Sequence, residues 1–270
     1  MLLRVAVLGA AGRMGRAVLG CVAEGDDLKL VGAVGEPRDP GLGRDAGELA
    51  GLPHAGVPLT DDPHAALHGA HVAIDFTLPS ATDANLRACV ASGTALVIGT
   101  TGLEGKHMKA MEKAANDVPI VYARNMSVGV NVFTDLVARA AKALGEDFDV
   151  EILEAHHRNK ADAPSGTALA LGEAVAAAKG RALGDVAVYA RHGRTGPRVP
   201  GTIGFSVIRG GNVVGDHTVK FIAGEEHVEF VHRAFDRKTF ARGAIKAARW
   251  TAGRAPGLYT MMDVLGLARD

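Results

Sequence analysis

The sequence predicts an α/β chain of two domains: a doubly wound parallel sheet first, then an α+β unit with a mixed or antiparallel sheet. Through the first half, short apolar β-branched runs alternate regularly with helical stretches, the pattern of a parallel sheet with helices on both faces. After residue 128 the alternation stops, and from Asp185 strand-like runs follow one another with no helix between them. The 270 residues allow one or two domains, and 47% hydrophobic against 22% charged residues is the balance of a globular enzyme able to bury a sizeable core.

Taken in order, Leu3 to Gly9 reads as a buried strand, and Arg13 to Glu24 as a helix carrying Met14, Val18, Leu19 and Val22 at helical spacing. Strands follow at Leu28 to Glu36 and His71 to Thr77, then a helix from Ser80 to Ser92 with Ser80 as its N-cap. Ala95 to Ile98 is a strand, Glu104 to Asn116 a polar helix, and Ile120 to Ala123 a further strand. A long helix over about 130–144 and a strand from Asp149 to Ala155 open the second domain, followed by a helix over about 166–179. The runs DVAVYAR, GTIGFSVIR, NVVGDHTVKFIA and EHVEFVHRA then read as strands, with Gly210-Gly211-Asn212 as a hairpin signal between two of them. A helix from Lys238 to Thr251 and a short apolar stretch from Gly257 to Leu267 close the chain. The change of pattern puts a domain boundary at residues 127–128.

Thirty basic and thirty acidic side chains cancel, so bulk attraction to nucleic acid or to an anionic membrane is not indicated. Cys21 and Cys89 lie in apolar segments and read as small buried hydrophobes of a reduced compartment. Arg4 and several glycines interrupt the opening apolar run, which fits neither a signal peptide nor a membrane span; the expected location is cytoplasmic.

Gly9-Ala10-Ala11-Gly12-Arg13-Met14-Gly15 follows the first strand and opens the first helix. Glycines there let the backbone turn tightly and bring N–H groups against a pyrophosphate at a helix N-terminus, the fingerprint of a Rossmann-like dinucleotide domain. Glu36 ends the second strand, where a carboxylate accepts hydrogen bonds from an adenosine ribose. Such a carboxylate repels a 2′-phosphate, which Arg38 is near enough in sequence to offset. Gly99-Thr100-Thr101 and Ala123-Arg124-Asn125-Met126 also fall at strand termini, where α/β sheets gather ligands.

The densest polar chemistry lies in Glu154 to Thr167, EAHHRNKADAPSGT. Histidine exchanges protons near neutral pH, and a lysine among cations can have its pKa lowered enough to donate one. A helix begins just after Pro164, so the first-turn amides of Ser165, Gly166 and Thr167 are available to a carboxylate. Cations beside a helix N-terminus imply a small anionic substrate. Two adjacent histidines with no cysteine pair do not make a zinc site, and His54, His64, His192, His217 and His232 read as background.

With these residues in view, the sequence resembles the 4-hydroxy-tetrahydrodipicolinate (dihydrodipicolinate) reductase family along nearly its whole length. The resemblance rests on GAAGRMGR, DAGELAG, IDFTLP, VIGTTG, NMSVGVN, EAHHRNKADAPSGTA, RTGPRVPGTIGF and FARGAIKAARW. It implies hydride transfer from NADH or NADPH to a cyclic unsaturated dicarboxylate, giving tetrahydrodipicolinate on the diaminopimelate route to lysine. It further implies that His156 and Lys160 donate the proton, and that His157 with Gly166 and Thr167 binds a substrate carboxylate. Gly9, Ala10, Ala11, Gly12, Arg13, Met14, Glu36, Gly99, Thr100, Thr101, Ala123, Arg124, Asn125 and Met126 match the family's cofactor contacts. A homotetramer assembled through the second domain's sheet is implied as well, and so is a return of the chain's end to the nucleotide domain, giving domains 1–127 with 237–270, and 128–236. Some members carry arginine directly after the ribose-binding acid; here Pro37 stands there and Arg38 follows, so NADH is expected to serve at least as well as NADPH.

Overall fold

The computed structural model describes residues 2–268. They divide into two compact units, one holding the chain up to Val128 and again from Arg237, the other Gly129–Asp236.

The first unit runs β1 (Leu3–Leu8), α1 (Arg13–Ala23), β2 (Leu28–Val34), α2 (Ala46–Leu49), β3 (Leu59–Thr60), α3 (Pro63–Ala66) and β4 (Val72–Asp75). It continues with α4 (Thr82–Ser92), β5 (Ala95–Ile98), α5 (Gly105–Ala114) and β6 (Pro119–Tyr122). The sheet order is β3-β2-β1-β4-β5-β6, every pair parallel, extended past β6 by a strand from the chain's end. Successive residues of one strand serve opposite faces. Val5 and Val7 pack with Val18, Leu19 and Val22 of α1, while Ala6 and Leu8 pack with Leu86 and Cys89 of α4 and Met111 of α5. Order reverses at β1, whose neighbours are β2 and β4; in such sheets ligands gather beyond the carboxyl ends of the strands at that point.

The second unit comprises α6 (Val128–Leu144, beginning at the boundary), β7 (Asp149–His156), α7 (Gly166–Ala178), α8 (Leu183–Val186), β8 (Ala187–Val188), β9 (Ile203–Arg209), β10 (Gly215–Ile222) and β11 (His227–Ala234). Its sheet order is β11-β10-β7-β9-β8; β7, β9 and β8 run parallel, and β10 is antiparallel to both its neighbours. Phe133 and Val137 of α6 and Leu171 and Val175 of α7 close over one sheet face, formed by Val150, Ile152, Phe205, Val219 and Phe221. The chain then returns to the first unit as α9 (Lys238–Thr251), β12 (Gly257–Tyr259) and α10 (Met261–Val264). There α9 packs on the α1 face, and Lys238 and Arg249 reach Glu24 and Asp27 at 2.7 Å.

Three expectations need correction. Gly210-Gly211-Asn212 does not join a hairpin, because β7 lies between β9 and β10; the turn passes round the end of β7, with the Gly210 amide donating to the His156 carbonyl at 3.0 Å. DVAVYAR is not a full strand: Asp185 ends up in α8, and only Ala187 and Val188 pair, with Ile203 and Gly204. Ser80 caps no helix; it lies within a 3₁₀ turn, Pro79–Ala81, whose fixed proline starts the turn before α4 begins. No helix among the described residues is long and apolar enough to cross a membrane.

Candidate active site

In the first unit, the residues expected to meet a dinucleotide stand at the carboxyl ends of strands. Gly9 leaves β1 with φ of +81°, and a Cβ there would lie 2.9 Å from the Phe76 carbonyl oxygen, so no side chain is tolerated. Gly15, in the first turn of α1, sits directly on the Gly9 and Ala10 backbone, where a Cβ would collide. Gly12 is the N-cap of α1, and no side chain there caps the first-turn amides. This backbone cradle fits a pyrophosphate. Glu36 and Arg38 are exposed just past β2, and Arg38 adopts the left-handed region with φ of +72°. Gly99-Thr100-Thr101 follows β5, and Ala123 to Met126 follows β6. Ala10, Gly99, Thr100 and Met126 are buried, whereas Gly12, Arg13, Thr101 and Arg124 are exposed.

Sequence reading missed what fixes these turns. Asp75, at the end of β4 and fully buried, accepts from the Thr77 amide and hydroxyl at 2.7 Å each, from Asn85 Nδ2 at 2.9 Å and from the Thr100 hydroxyl at 3.3 Å. One carboxyl thereby ties the loop after β4, helix α4 and the loop after β5. Burial pushes its pKa up, partly opposed by those donors.

In the second unit, the dense polar run folds around Glu154. Side chains two apart on a strand share a face, so Glu154 and His156 of β7 lie together, and Arg209 at the end of β9 pairs in register with His156. Glu154 is 2% exposed. Its Oε2 takes a hydrogen bond from His156 Nδ1 at 2.5 Å and from Arg209 Nη1 at 2.7 Å. Its Oε1 accepts from Arg209 Nη2 at 2.8 Å and from the Ser165 amide at 3.0 Å. Burial opposes its ionisation, yet Arg209, His156 and the Ser165 amide together hold the carboxyl below its usual range.

Ser165 is the N-cap of α7, its hydroxyl accepting from the Ala168 amide at 3.2 Å and lying 3.1 Å from His217 Nε2. Gly166 is the first helical residue and exposed; Thr167 follows, half-buried. Lys160, with its side chain 20% exposed, donates to Asp162 at 2.9 Å, and Arg209 Nη2 donates to the Asp162 carbonyl at 2.7 Å. His157 is half-buried in the turn after β7, its carbonyl accepting from the Lys160 amide at 3.1 Å. The structure thus joins His156 and Ser165 through Glu154.

His217 does not belong with the background histidines. It is 4% exposed, 5.2 Å from the His156 ring edge to face, and burial, with His156 next, pushes its pKa down to about 3. Burial also lowers His156; Glu154 opposes the shift, and Lys160 and Arg209 add to it. The sequence reading also missed Glu154, which its spacing of two from His156 on one strand could have marked; Arg209 and His217 come from other strands and carry no local signal.

Two family models match the chain, dihydrodipicolinate reductase N-terminus over residues 3–126 and dihydrodipicolinate reductase C-terminus over residues 129–265. A 4-hydroxy-tetrahydrodipicolinate reductase of Alkalilimnicola ehrlichii is 55% identical over 267 residues, covering 99% of this chain and 100% of the relative. One from Thiobacillus denitrificans is 53% identical with the same coverage. Among solved structures, a dipicolinate-bound dihydrodipicolinate reductase from Paenisporosarcina sp. TG-14 superposes with a TM-score of 0.76 at 22% identity, over 97% of this chain and 99% of that one, which speaks for the fold. With both halves matched and full-length relatives above half identity, the chain belongs to the dihydrodipicolinate reductase family.

Proposed function

We propose that this protein reduces 4-hydroxy-tetrahydrodipicolinate to tetrahydrodipicolinate, the step on the diaminopimelate route to lysine, at the expense of a reduced nicotinamide dinucleotide. The observation that carries the reading is the cationic loop of the second unit, where a buried carboxylate gathers His156 and the amide end of α7 beside Lys160. Family membership supplies the reaction; this loop supplies groups suited to an anionic substrate.

The glycine cradle after β1 has room only for backbone, which fits the phosphates of a dinucleotide. When bound, that cofactor supplies the hydride. Gly9, Ala10, Ala11, Gly12, Arg13 and Met14 hold its pyrophosphate, Glu36 its ribose, and the turns Gly99 to Thr101 and Ala123 to Met126 its nicotinamide end. NADH serves at least as well as NADPH, because Pro37 replaces the expected arginine and Glu36 repels a 2′-phosphate. On the substrate side, Gly166 and Thr167 offer first-turn amides to a carboxylate, with Ser165 fixing that turn and His157 adding a donor. His156 and Lys160 deliver the proton that must follow hydride addition to the ring. The reading also includes a cytoplasmic homotetramer built on the uncovered face of the second unit's sheet. That face presents Ile208 and Val231, 58% and 46% exposed.

A coupled assay tests the function. Reduced-nicotinamide absorbance falls only when the dihydrodipicolinate-synthase product is present; no fall with that product, or an equal fall without it, contradicts the reading. Separate kcat/KM values for NADH and NADPH test the cofactor choice, and a strong NADPH preference overturns it.

A further inference from the structure

We propose that Glu154 is the positioning residue for His156: its carboxylate holds one proton on Nδ1, so that the imidazolium passes its Nε2 proton to the reacting substrate and is left as the neutral Nδ1–H tautomer. The inference deepens the proposed reduction and rests on His156 being a proton donor there.

The geometry is specific. Glu154 is buried on the covered face of the sheet, and an ionised carboxylate only accepts, so the 2.5 Å contact must be Nδ1–H donating to Oε2. Two further donors fix the carboxylate itself. Arg209 engages both its oxygens at 2.7 and 2.8 Å, and the Ser165 amide closes on Oε1 at 3.0 Å. The remaining ring nitrogen has no hydrogen-bond partner among the described residues, and it lies beside Gly215 of β10, where a Cβ would approach Nε2 to 3.1 Å. Glycine there keeps the working nitrogen uncrowded. A carboxylate that orients an imidazole from behind, leaving the other nitrogen for chemistry, is a general device of histidine catalysis.

The same carboxylate sets when the imidazole is protonated. Groups facing His156 are Glu154 on its own strand, Arg209 from β9, His217 from β10 with His232 of β11 acting on His217, and Lys160 from the following loop. Burial lowers the His156 pKa, Glu154 raises it, and Lys160 and Arg209 lower it. Neutralising Glu154 therefore removes the raising partner and leaves Arg209 uncompensated. Both changes shift the titration to lower pH. Glu154 also ties His156 to the amide end of α7, so proton donor and carboxylate binder keep a fixed separation.

The test combines nitrogen-15 NMR of the wild-type protein with kinetics of Glu154→Gln, His156→Ala and the double variant. The expected spectrum shows His156 protonated at Nδ1 in its neutral form. Glu154→Gln lowers kcat by about 10- to 100-fold, leaves the dinucleotide KM unchanged and moves the high-pH fall of kcat/KM to lower pH. Added to His156→Ala, it costs little more, because the two act as one unit. An Nε2–H tautomer, an unmoved pH profile, or losses that add in the double variant would each overturn the positioning role. If His156→Ala alone keeps wild-type turnover, the proton-donor reading falls and the positioning role with it. If His156→Ala is impaired while Glu154→Gln behaves as wild type, only the positioning role falls. Should Glu154→Gln not fold, the wild-type tautomer decides.

Discussion

At the scale of single residues, the two units work by placing a few charges against fixed donors. His156→Ala and Lys160→Ala are expected chiefly to lower kcat, because a proton donated during reduction is an interaction of the transition state. Thr167→Pro, which removes the proposed carboxylate-binding amide at a first-turn position that accepts proline, is expected chiefly to raise the substrate KM. Steady-state kinetics with the synthase-generated substrate checks both, and unchanged turnover in the first two variants removes their assignment. Asp75 carries a different load. Removing its carboxyl in Asp75→Ala strands the Thr77, Asn85 and Thr100 donors, costing about 1–3 kcal/mol of stability and weakening dinucleotide affinity, as calorimetric titration with NADH would show. Asp45 gives the pH dependence. The Ala55 amide first, then those of Glu48 and Val57, hold its pKa down to about 2, with burial opposing them. A depressed carboxyl stabilises the fold above its unfolded pKa, and that share is lost as pH falls from about 4 toward 2. Acid unfolding of Asp45→Asn should lack that component; a wild-type acid profile in the variant would contradict it. The glycines at 9 and 15 were readable because a cradle for phosphates excludes side chains at set spacings. Asp75 was not, since nothing in its strand shows that three other segments aim donors at it.

At the scale of elements, α7 matters most, since its first turn is the proposed carboxylate site. Ser165 caps that turn by accepting from the Ala168 amide, and its hydroxyl meets His217. Ser165→Ala should cost about 1 kcal/mol and raise the substrate KM more than it lowers kcat, measured by thermal unfolding and initial rates. Element boundaries in the first unit were largely legible, because each parallel strand is a short apolar run closed by glycine or a polar turn. The second unit was harder. Gly210-Gly211-Asn212 has the local chemistry of a tight hairpin, but turn residues do not say which strand takes the neighbouring ladder, and β7 takes it. DVAVYAR carries Val186, Val188 and Tyr189, residues that favour strands, yet only Ala187 and Val188 find a partner edge, so propensity yields to the available pairing.

At the scale of the whole chain, the two sheets are covered differently. The first has helices on both faces. The second is closed by α6 and α7 on one face, and its other face carries Leu153, Thr218 and Val231 across three strands in register. That face is the proposed tetramer surface, so Val231→Glu should shift sedimentation toward smaller species; an unchanged sedimentation profile would move the interface elsewhere. The fold class was legible from the change of rhythm after residue 128, and the return of α9 from the resemblance. The central claim is that the second unit's cationic, amide-ended loop takes a dicarboxylate ring and protonates it. A crystal structure with reduced dinucleotide and a dicarboxylate analogue tests it most directly. It should show one carboxylate on the Gly166 and Thr167 amides, with His156 and Lys160 within hydrogen-bond reach of the ring; an analogue lodged away from that loop would contradict it.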